Sequence, residues 1–267
     1  MEETYISRIY QWFDTETIEG ICEVPFQIGL SPTGRKDRLK SLLDANRKQR
    51  FKFIGTGTNR HIVRVDDYVA KIAVDREGIA DNKMEYAMSP RLRGSAPTFE
   101  ILKGGNILIS RYIKACSDNS EFLAHRDEAV TMLREWSTFC VLGDVGITDK
   151  NYANYGVDTD GTLKCIDYAY VIPADMNKFK CKCGRCDTLR LTDDFTEYRC
   201  KACGTVYSDR ELRTRITNSE RARYFNSSDG IFMKSESEKH EVPPEYINDE
   251  NRYHSQFIDN AFLGRIR

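Results

Sequence analysis

The cysteines of this chain restrict its fold more than any other residue type. Five of the nine fall between positions 181 and 203. Four of these five form two Cys-x2-Cys pairs, namely Cys183, Cys186, Cys200 and Cys203. Each pair can present two thiolates to one tetrahedral ion, and four thiolates leave no coordination position open for catalysis. The spacing therefore predicts a structural zinc site, and zinc binding would supply part of the local folding free energy.

The sequence around these pairs resembles a zinc ribbon. Tyr198 precedes the second pair, and a glycine follows both Cys183 and Cys203, which suits tight turns and a short hairpin. The alternative to a zinc site is that the four cysteines of the two pairs are unrelated thiols of the core. Cys181 competes with Cys183 or Cys186 for a place in the site, although its spacing fits the pattern less well. The remaining cysteines are expected to be core thiols because they lie in apolar surroundings: Cys22, Cys116, Cys140 and Cys165.

The composition is typical of a soluble globular chain. It combines 267 residues, 40 Lys+Arg, 41 Asp+Glu and 40% hydrophobic residues, which argues against disorder, collagen and coiled coil. A net charge of −1 gives no global attraction to nucleic acid, so such contact needs a local patch. No apolar run has the length of a membrane span, and the first residues do not follow the plan of a signal peptide. We expect a cytoplasmic protein with no membrane partner.

Hydrophobic periodicity predicts the order of secondary structure. An amphipathic helix at about 5–13 and a basic helix at 35–50 precede alternating strands at 51–74, which form a small antiparallel sheet. A helix at 79–88 and a hairpin at 99–113 come next. A long helix at about 120–140 and two short strands complete the pattern before the cysteine cluster.

A glycine turn, a lysine and a glutamate suggest anion binding in the first half of the chain. Gly55 and Gly57 stand between two predicted strands, where backbone N–H groups can approach an anion without interference from a Cβ atom. Lys71 lies between apolar residues on the next strand, and Glu85 stands in the following helix, where it could pair with that lysine. Taken alone, the turn is more typical of an ordinary hairpin, and the lysine is equally typical of an exposed strand.

The second half of the chain carries two acids and an asparagine. Asp149 precedes Asn154 by five residues. Two short strands are predicted after Asn154, and Asp167 lies at the end of the second one. Phosphoryl transfer from a nucleotide requires a carboxylate that orients a hydroxyl, oxygen ligands for magnesium and a cation on the phosphates. The two halves together supply each of these groups.

In order and spacing, these residues resemble the protein kinase-like superfamily, which includes protein kinases and small-molecule kinases. The similarity covers about residues 51–172. It implies an α+β, two-lobed fold with a small antiparallel N-lobe sheet and a reduced helical C-lobe that carries the zinc ribbon as an insertion. It also implies an ATP- and Mg-dependent kinase that transfers the γ-phosphate to a hydroxyl acceptor, which we expect to be on a protein. The small size is what we expect of a divergent viral or phage kinase.

The resemblance assigns nucleotide-binding roles in the first half. Gly55 and Gly57 correspond to the glycine-rich loop over the phosphates. Lys71 corresponds to the strand lysine that binds the α- and β-phosphates, and Glu85 to its helix partner.

In the second half, Asn154 and Asp167 correspond to the magnesium ligands and Asp149 to the catalytic base. Gly143 and Asp144 allow another alignment, in which Asp144 is the base of an enlarged loop. We prefer Asp149 because its distance from Asn154 fits the superfamily.

The chain also departs from the superfamily. Arg60 replaces the third loop glycine, Ile147 and Thr148 replace the His-Arg before the base, Tyr168 and Ala169 replace Phe-Gly, and no Ala-Pro-Glu follows. A pseudokinase is therefore the alternative: an ATP-binding module whose ribbon binds a protein or nucleic-acid partner.

The resemblance divides the chain into five regions: an N-terminal helical extension (1–50), an N-lobe with hinge (51–113), a C-lobe with the catalytic and metal-binding loops (114–180), the zinc ribbon (181–207) and a C-terminal region (208–267). The last region begins with five arginines: Arg210, Arg213, Arg215, Arg221 and Arg223. Beside a ribbon they suggest contact with nucleic acid. A solvated helix face with internal salt bridges is the alternative.

Overall fold

The computed structural model describes residues 7–102, 104–174, 179–185 and 189–212. The chain forms two compact units. The described part of the first unit comprises residues 7–90, 97–102 and 104–112, and that of the second comprises 91–96, 113–174, 179–185 and 189–212. The arginines from Arg213 onward and Cys186 lie outside the described residues. In the described part, no helix has both the length and the apolar character needed to span a membrane.

Three helices begin the first unit: α1 (Arg8–Trp12), α2 (Thr15–Glu23) and α3 (Pro32–Ala45). Each begins at a side-chain cap, because Ser7, Asp14 and Ser31 accept hydrogen bonds from backbone N–H groups of the first turn. The sequence analysis did not predict α2.

The bounds predicted for the basic helix, 35–50, were wrong at both ends, because the helix observed is α3 (Pro32–Ala45). It begins earlier because Pro32 occupies the first helical position, which proline tolerates. It ends earlier because the Asn46 side chain bonds to the backbone of Trp12, Asp14 and Gln49 and turns the chain out of the helix.

Five antiparallel strands form the sheet of the first unit, in the order β1-β2-β3-β5-β4. They are β1 (Lys52–Thr56), β2 (Arg60–Val65), β3 (Tyr68–Ala73), β4 (Thr98–Ile101) and β5 (Ile107–Arg111). The sheet and the β4–β5 hairpin confirm the sequence pattern, and the mixed α+β class is correct. Helix α4 (Arg76–Met88) joins β3 to β4. It begins before the predicted position 79 because the carboxylate of Asp75 accepts a hydrogen bond from the Gly78 N–H.

The two faces of this sheet have different coverings. Alternation along a strand places Val63 and its partner Ala70 on one face, where they join the buried apolar core that α1, α2 and α3 supply. Ile62 is paired directly with Lys71 and therefore shares the opposite face with it and with Arg60. Helix α4 supplies the polar contacts to that face.

The described part of the second unit includes the helices α5 (Asn119–Ala124) and α6 (Arg126–Trp136), and its last described residues, 209–212, are also helical. Its strands are short: β6 (Cys140–Val141) pairs with β9 (Ile172–Pro173), and β7 (Tyr155–Val157) pairs with β8 (Leu163–Cys165). Three more form an antiparallel sheet, namely β10 (Leu189–Leu191), β11 (Glu197–Cys200) and β12 (Val206–Ser208).

The prediction of one long helix at 120–140 was wrong, because the structure has two helices there, α5 and α6. His125 has φ −109° and ψ 22°, and its N–H bonds to the carbonyl of Phe122 at 3.0 Å. This closes α5 in a tight turn before α6 begins.

We predict that Gly78→Ala destabilises the protein. A Cβ atom at this position of α4 would lie 2.2 Å from the backbone oxygen of Asn59, so the helix or the loop must move, at a cost of about 1–3 kcal/mol. Urea denaturation measures the change. The control is Gly34→Ala on α3, where the nearest atom is 3.5 Å away and alanine should stabilise the helix by up to about 1 kcal/mol. Equal effects of the two substitutions would contradict the prediction.

Candidate functional site

A buried carboxylate in the first unit contacts two cations. Glu85 on α4 has no exposed surface, and its Oε1 accepts a hydrogen bond from Arg60 Nη1 at 2.8 Å. Its Oε2 pairs with Nζ of Lys71 on β3. Both cations are also buried. Each ion loses its hydration on burial, at a cost of several kcal/mol, so the arrangement depends on these close opposite charges. The structure thus brings together Lys71 and Glu85, two of the sequence-predicted site residues.

Arg60 belongs to the same site, and sequence reasoning missed it. The residue was considered only as a departure from the glycine pattern. A signal was present in the strand alternation, because Arg60 lies two residues before Ile62, the residue opposite Lys71. Residues spaced by two share a face of a strand, and a second cation on this face requires an acid to balance it.

Two further polar residues attach α4 to the sheet. Asn82 donates from Nδ2 to the carbonyl oxygens of Lys71, at 3.0 Å, and Gly105, at 2.9 Å. Asp81 accepts a hydrogen bond from Asn59 at 3.2 Å. Because Gly78, Asp81 or Asn82, and Glu85 are three or four residues apart, they lie along one face of the helix. This polar face is buried, so it fixes the position of Glu85 relative to β3.

The structure corrects the predicted position of one glycine: Gly55 lies in β1, opposite Ile62, and only Gly57 lies in the β1–β2 turn. Both glycines have open space around them. A Cβ atom at Gly55 would meet nothing within 4 Å, and one at Gly57 would have its nearest contact at 3.8 Å. Packing therefore does not require glycine at either position. The turn is held by a hydrogen bond from the Gly57 N–H to Arg60 O at 2.9 Å and by Lys36, which donates to Gly57 O at 3.0 Å.

In the second unit, hydrogen bonds connect Asn154 with Asp167. Asn154 ends a short 3-10 turn before β7, and its carbonyl oxygen accepts from the N–H groups of Ile166, at 2.8 Å, and Asp167, at 3.4 Å. The β7–β8 hairpin returns the chain to this point. The two predicted magnesium ligands are therefore neighbours, and both side chains are partly exposed.

The structure places Asp144 beside Asn154. The Nδ2 of Asn154 donates to the Asp144 carbonyl at 2.7 Å, and Asp144 adopts a left-handed conformation with φ 58°. The carboxylate of Asp149 is exposed and, within the described residues, makes no hydrogen bond or ion pair. Both acids stay candidates for the base.

A cluster of four cysteines in the second unit has the geometry of a metal site. The sulfur atoms of Cys181, Cys183, Cys200 and Cys203 lie within 4.8 Å of one another. The Cys181–Cys203 and Cys183–Cys200 sulfur distances are 3.6 and 3.9 Å. A tetrahedral ion with metal–sulfur bonds of 2.3 Å separates its ligands by about 3.8 Å. The cluster therefore fits zinc.

The fourth position of this cluster is occupied by Cys181. Cys186, which the sequence spacing favoured, lies outside the described residues. The Cys181 sulfur lies 3.1 Å from the hydroxyl of Tyr207. That hydrogen bond lowers the pKa of the Cys181 thiol and favours the thiolate that a metal requires.

The β10–β12 sheet packs against residues 142–147 of the same unit. The buried hydroxyl of Tyr198 accepts a hydrogen bond from the Leu142 N–H at 2.8 Å, and the Ile147 N–H donates to Asp194 O at 2.7 Å. A Cβ atom at Gly146 would lie 2.9 Å from Phe195 O. The cysteine-bearing sheet therefore positions the segment that leads to Asp149.

A scan of the chain against protein-family models finds no match, and a search among curated proteins finds none either. The residues of the site indicate by their chemistry what it can bind. The first unit holds a fixed ammonium group beside a carboxylate and an open glycine turn, which suits anion binding. The second unit holds neighbouring amide and carboxylate oxygens, which suit a hard divalent cation.

We predict that Glu85→Gln destabilises the protein by about 3 kcal/mol, because it leaves two buried cations facing a neutral amide. Urea denaturation checks this value. The control is Glu16→Gln: Glu16 pairs with Arg47 at 3.6 Å, but their side chains are 85% and 82% exposed, so stability should not change measurably. A Glu85→Gln protein as stable as the wild type would contradict the prediction.

We also predict that the purified protein contains about one zinc ion per chain, measured by mass spectrometry of the metal. Cys200→Ser should abolish zinc binding and speed hydrogen exchange at the Leu142 amide, since that amide bonds to the cysteine-bearing sheet. Cys22→Ser, which alters a thiol on α2, should leave both unchanged. Cys181→Ser and Cys186→Ser identify the fourth ligand. Full zinc content in Cys181→Ser would exclude Cys181.

Proposed function

We propose that the protein is an ATP- and Mg²⁺-dependent phosphotransferase with a divergent protein kinase-like fold, and that it transfers the γ-phosphate to a hydroxyl group on a protein. The observation that carries the proposal is the buried ion pair between Lys71 on β3 and Glu85 on α4. In protein kinases, the lysine of the third strand pairs with a glutamate of the following helix and binds the nucleotide phosphates.

The surroundings of the pair support the same interpretation. Its strand lies at the centre of a five-stranded antiparallel sheet, and its helix follows that strand directly. Helix α4 is attached to β3 by Asn82 and approaches the β1–β2 connection closely at Gly78. A cation held in this way is oriented before any ligand arrives, which is the condition for electrostatic catalysis.

Each candidate residue has a role in the proposal. Lys71 binds the α- and β-phosphates, and the backbone of the Gly55–Gly57 turn lies over them. Asn154 and Asp167 supply oxygen ligands to magnesium. ATP supplies the phosphoryl group: a bond forms between the acceptor oxygen and the γ-phosphorus, the bond to the β–γ bridging oxygen breaks, and ADP leaves.

The base accepts the proton of the acceptor hydroxyl. Asp149 has the spacing expected of this residue, and its carboxylate is exposed. Asp144 is the alternative because its main chain contacts Asn154. The cysteine cluster takes no part in transfer, since four thiolates leave no position open on the ion.

A second candidate function is an ATP-binding interaction module without transfer. Arg60 favours it, because this buried guanidinium shares Glu85 with Lys71 and replaces a glycine of the kinase loop. In that case the cysteine-bearing sheet would bind a protein or nucleic-acid partner.

We predict that the wild-type protein converts ATP to ADP with Mg²⁺ and phosphorylates itself or an added protein, measured with γ-labelled ATP. Asp167→Asn should lower the rate at least about a hundredfold. Either Asp149→Asn or Asp144→Asn should cause the same loss, depending on which of the two residues is the base. Asp127→Asn on the exposed start of α6 is the control and should keep full activity.

Binding of labelled ATP separates the two candidate functions. Retained binding in Asp167→Asn, with transfer lost, supports the phosphotransferase. Wild-type protein that binds ATP, produces no ADP and phosphorylates no protein in a host lysate would contradict it and favour the interaction module.

A further inference from the structure

A groove of about 970 Å³ opens on the first unit, between α3 and the strands β1 and β2. Its volume is at the upper end of the range for small-molecule sites, but those sites are lined mainly by apolar groups. In this groove, seven of the fifteen lining residues are charged, and all seven come from α3 and the segment that connects it to β1. The proposed phosphotransfer does not use it.

The lining carries more positive than negative charge. Five cations line the groove, namely Lys36, Lys40, Arg47, Lys48 and Arg50, against two acids, Asp37 and Asp44. Lys36 and Lys40 are four residues apart and therefore lie on one face of α3, with Cβ atoms about 6 Å apart. A single strand of nucleic acid presents its phosphates at regular intervals to such a row of cations.

Four of these five cations have no carboxylate partner among the described residues, and two of the four are held in place by backbone carbonyls. Lys36 donates to the carbonyl oxygen of Gly57 at 3.0 Å, and Lys48 donates to that of Tyr10 at 2.7 Å. In both cases the partner is a neutral carbonyl, so the contact does not offset the positive charge of the lysine. Among the described residues, Lys40 and Arg50 make no ion pair, and both are exposed. Only Arg47 of the five has a carboxylate partner in that part of the chain, at 3.6 Å on the exposed surface.

An exposed aromatic side chain, Phe53, lines the groove together with the cations. The side chain of Phe53 is 57% exposed although it belongs to a strand, and its ring centroid lies 4.9 Å from that of His61. The His61 ring is oriented by a hydrogen bond with the hydroxyl of Thr56 at 3.1 Å. Burial, followed by the charges of Lys36 and Lys40, lowers the pKa of His61. Phe53 therefore lies against a ring that is uncharged at neutral pH, and its exposed side chain lines the groove.

We propose that this groove binds single-stranded nucleic acid, with the phosphates on the lysines and arginines of α3 and its following segment and a base stacked on Phe53. Cations along a groove together with an exposed aromatic ring are the usual means of binding single strands without sequence preference. An acidic peptide would use the cations but has no base to stack on the ring.

The test measures fluorescence anisotropy of a labelled 12-nucleotide single-stranded DNA of mixed sequence with the full-length protein at several salt concentrations. Binding should weaken as salt rises. The double variant Lys40→Ala/Arg50→Ala should bind at least about tenfold more weakly and should lower the slope of log K against log salt by about 1.4, which corresponds to two phosphate contacts. Phe53→Ala should bind about tenfold more weakly with the slope unchanged, because it removes stacking and no charge.

A matched control separates the groove from the overall charge. Arg38 on α3 and Lys52 on β1 are exposed and lie outside the lining, so Arg38→Ala/Lys52→Ala removes the same charge and should leave the affinity within about twofold. Circular dichroism of each variant checks that its fold is kept.

Three results would overturn the proposal. They are an absence of wild-type binding at low salt, equal losses in the two double variants, and competition by oligoglutamate as effective as that by unlabelled DNA. The last result would make an acidic peptide the occupant.

Discussion

The buried carboxylate of Glu85 is the interaction on which the first unit depends. One oxygen is bonded to Arg60 and the other to Lys71, so a single side chain joins α4 to two adjacent strands. The contacts around it are of the same kind: Asn82 bonds to the main chain of β3, and Gly78 allows α4 to approach Asn59 closely. Hydrophobic residues could not replace this face without losing the orientation of the lysine. Buried ion pairs of this type often contribute more to specificity than to stability.

The two faces of the sheet have separate tasks. Val63, Ala70 and Ile72 face an apolar core built with α1, α2 and α3, which supplies the hydrophobic stabilisation of the unit. The other face carries the ions. The N-terminal helices thus allow the sheet to hold charged groups on its second face, since the apolar area needed for folding is already buried on the first. They also bring a basic helix next to β1 and β2, where the charged groove opens.

Local patterns in the sequence were sufficient for much of this fold. Alternating apolar residues predicted the strands and the β4–β5 hairpin. The failures came from specific side-chain interactions: Asn46 ends α3 through bonds to Trp12 and Asp14, and the bend at His125 divides the helix predicted at 120–140. The pairing of Glu85 with Lys71 could be anticipated from their order along the chain.

Other parts of the candidate site depend on register and distant contacts. The place of Arg60 in the site follows from the register of β2 against β3, which puts it on the same face of the sheet as Lys71. The contact of Asn154 with Asp144 and the position of Cys181 in the cysteine cluster depend on how loops return in space. Residue spacing does not carry that information. The contact of Leu142 with Tyr198 spans 56 positions. During synthesis, residues 142–147 therefore leave the ribosome before the sheet that supports them has been made. Packing of this segment is completed in a step that follows translation of most of the described chain.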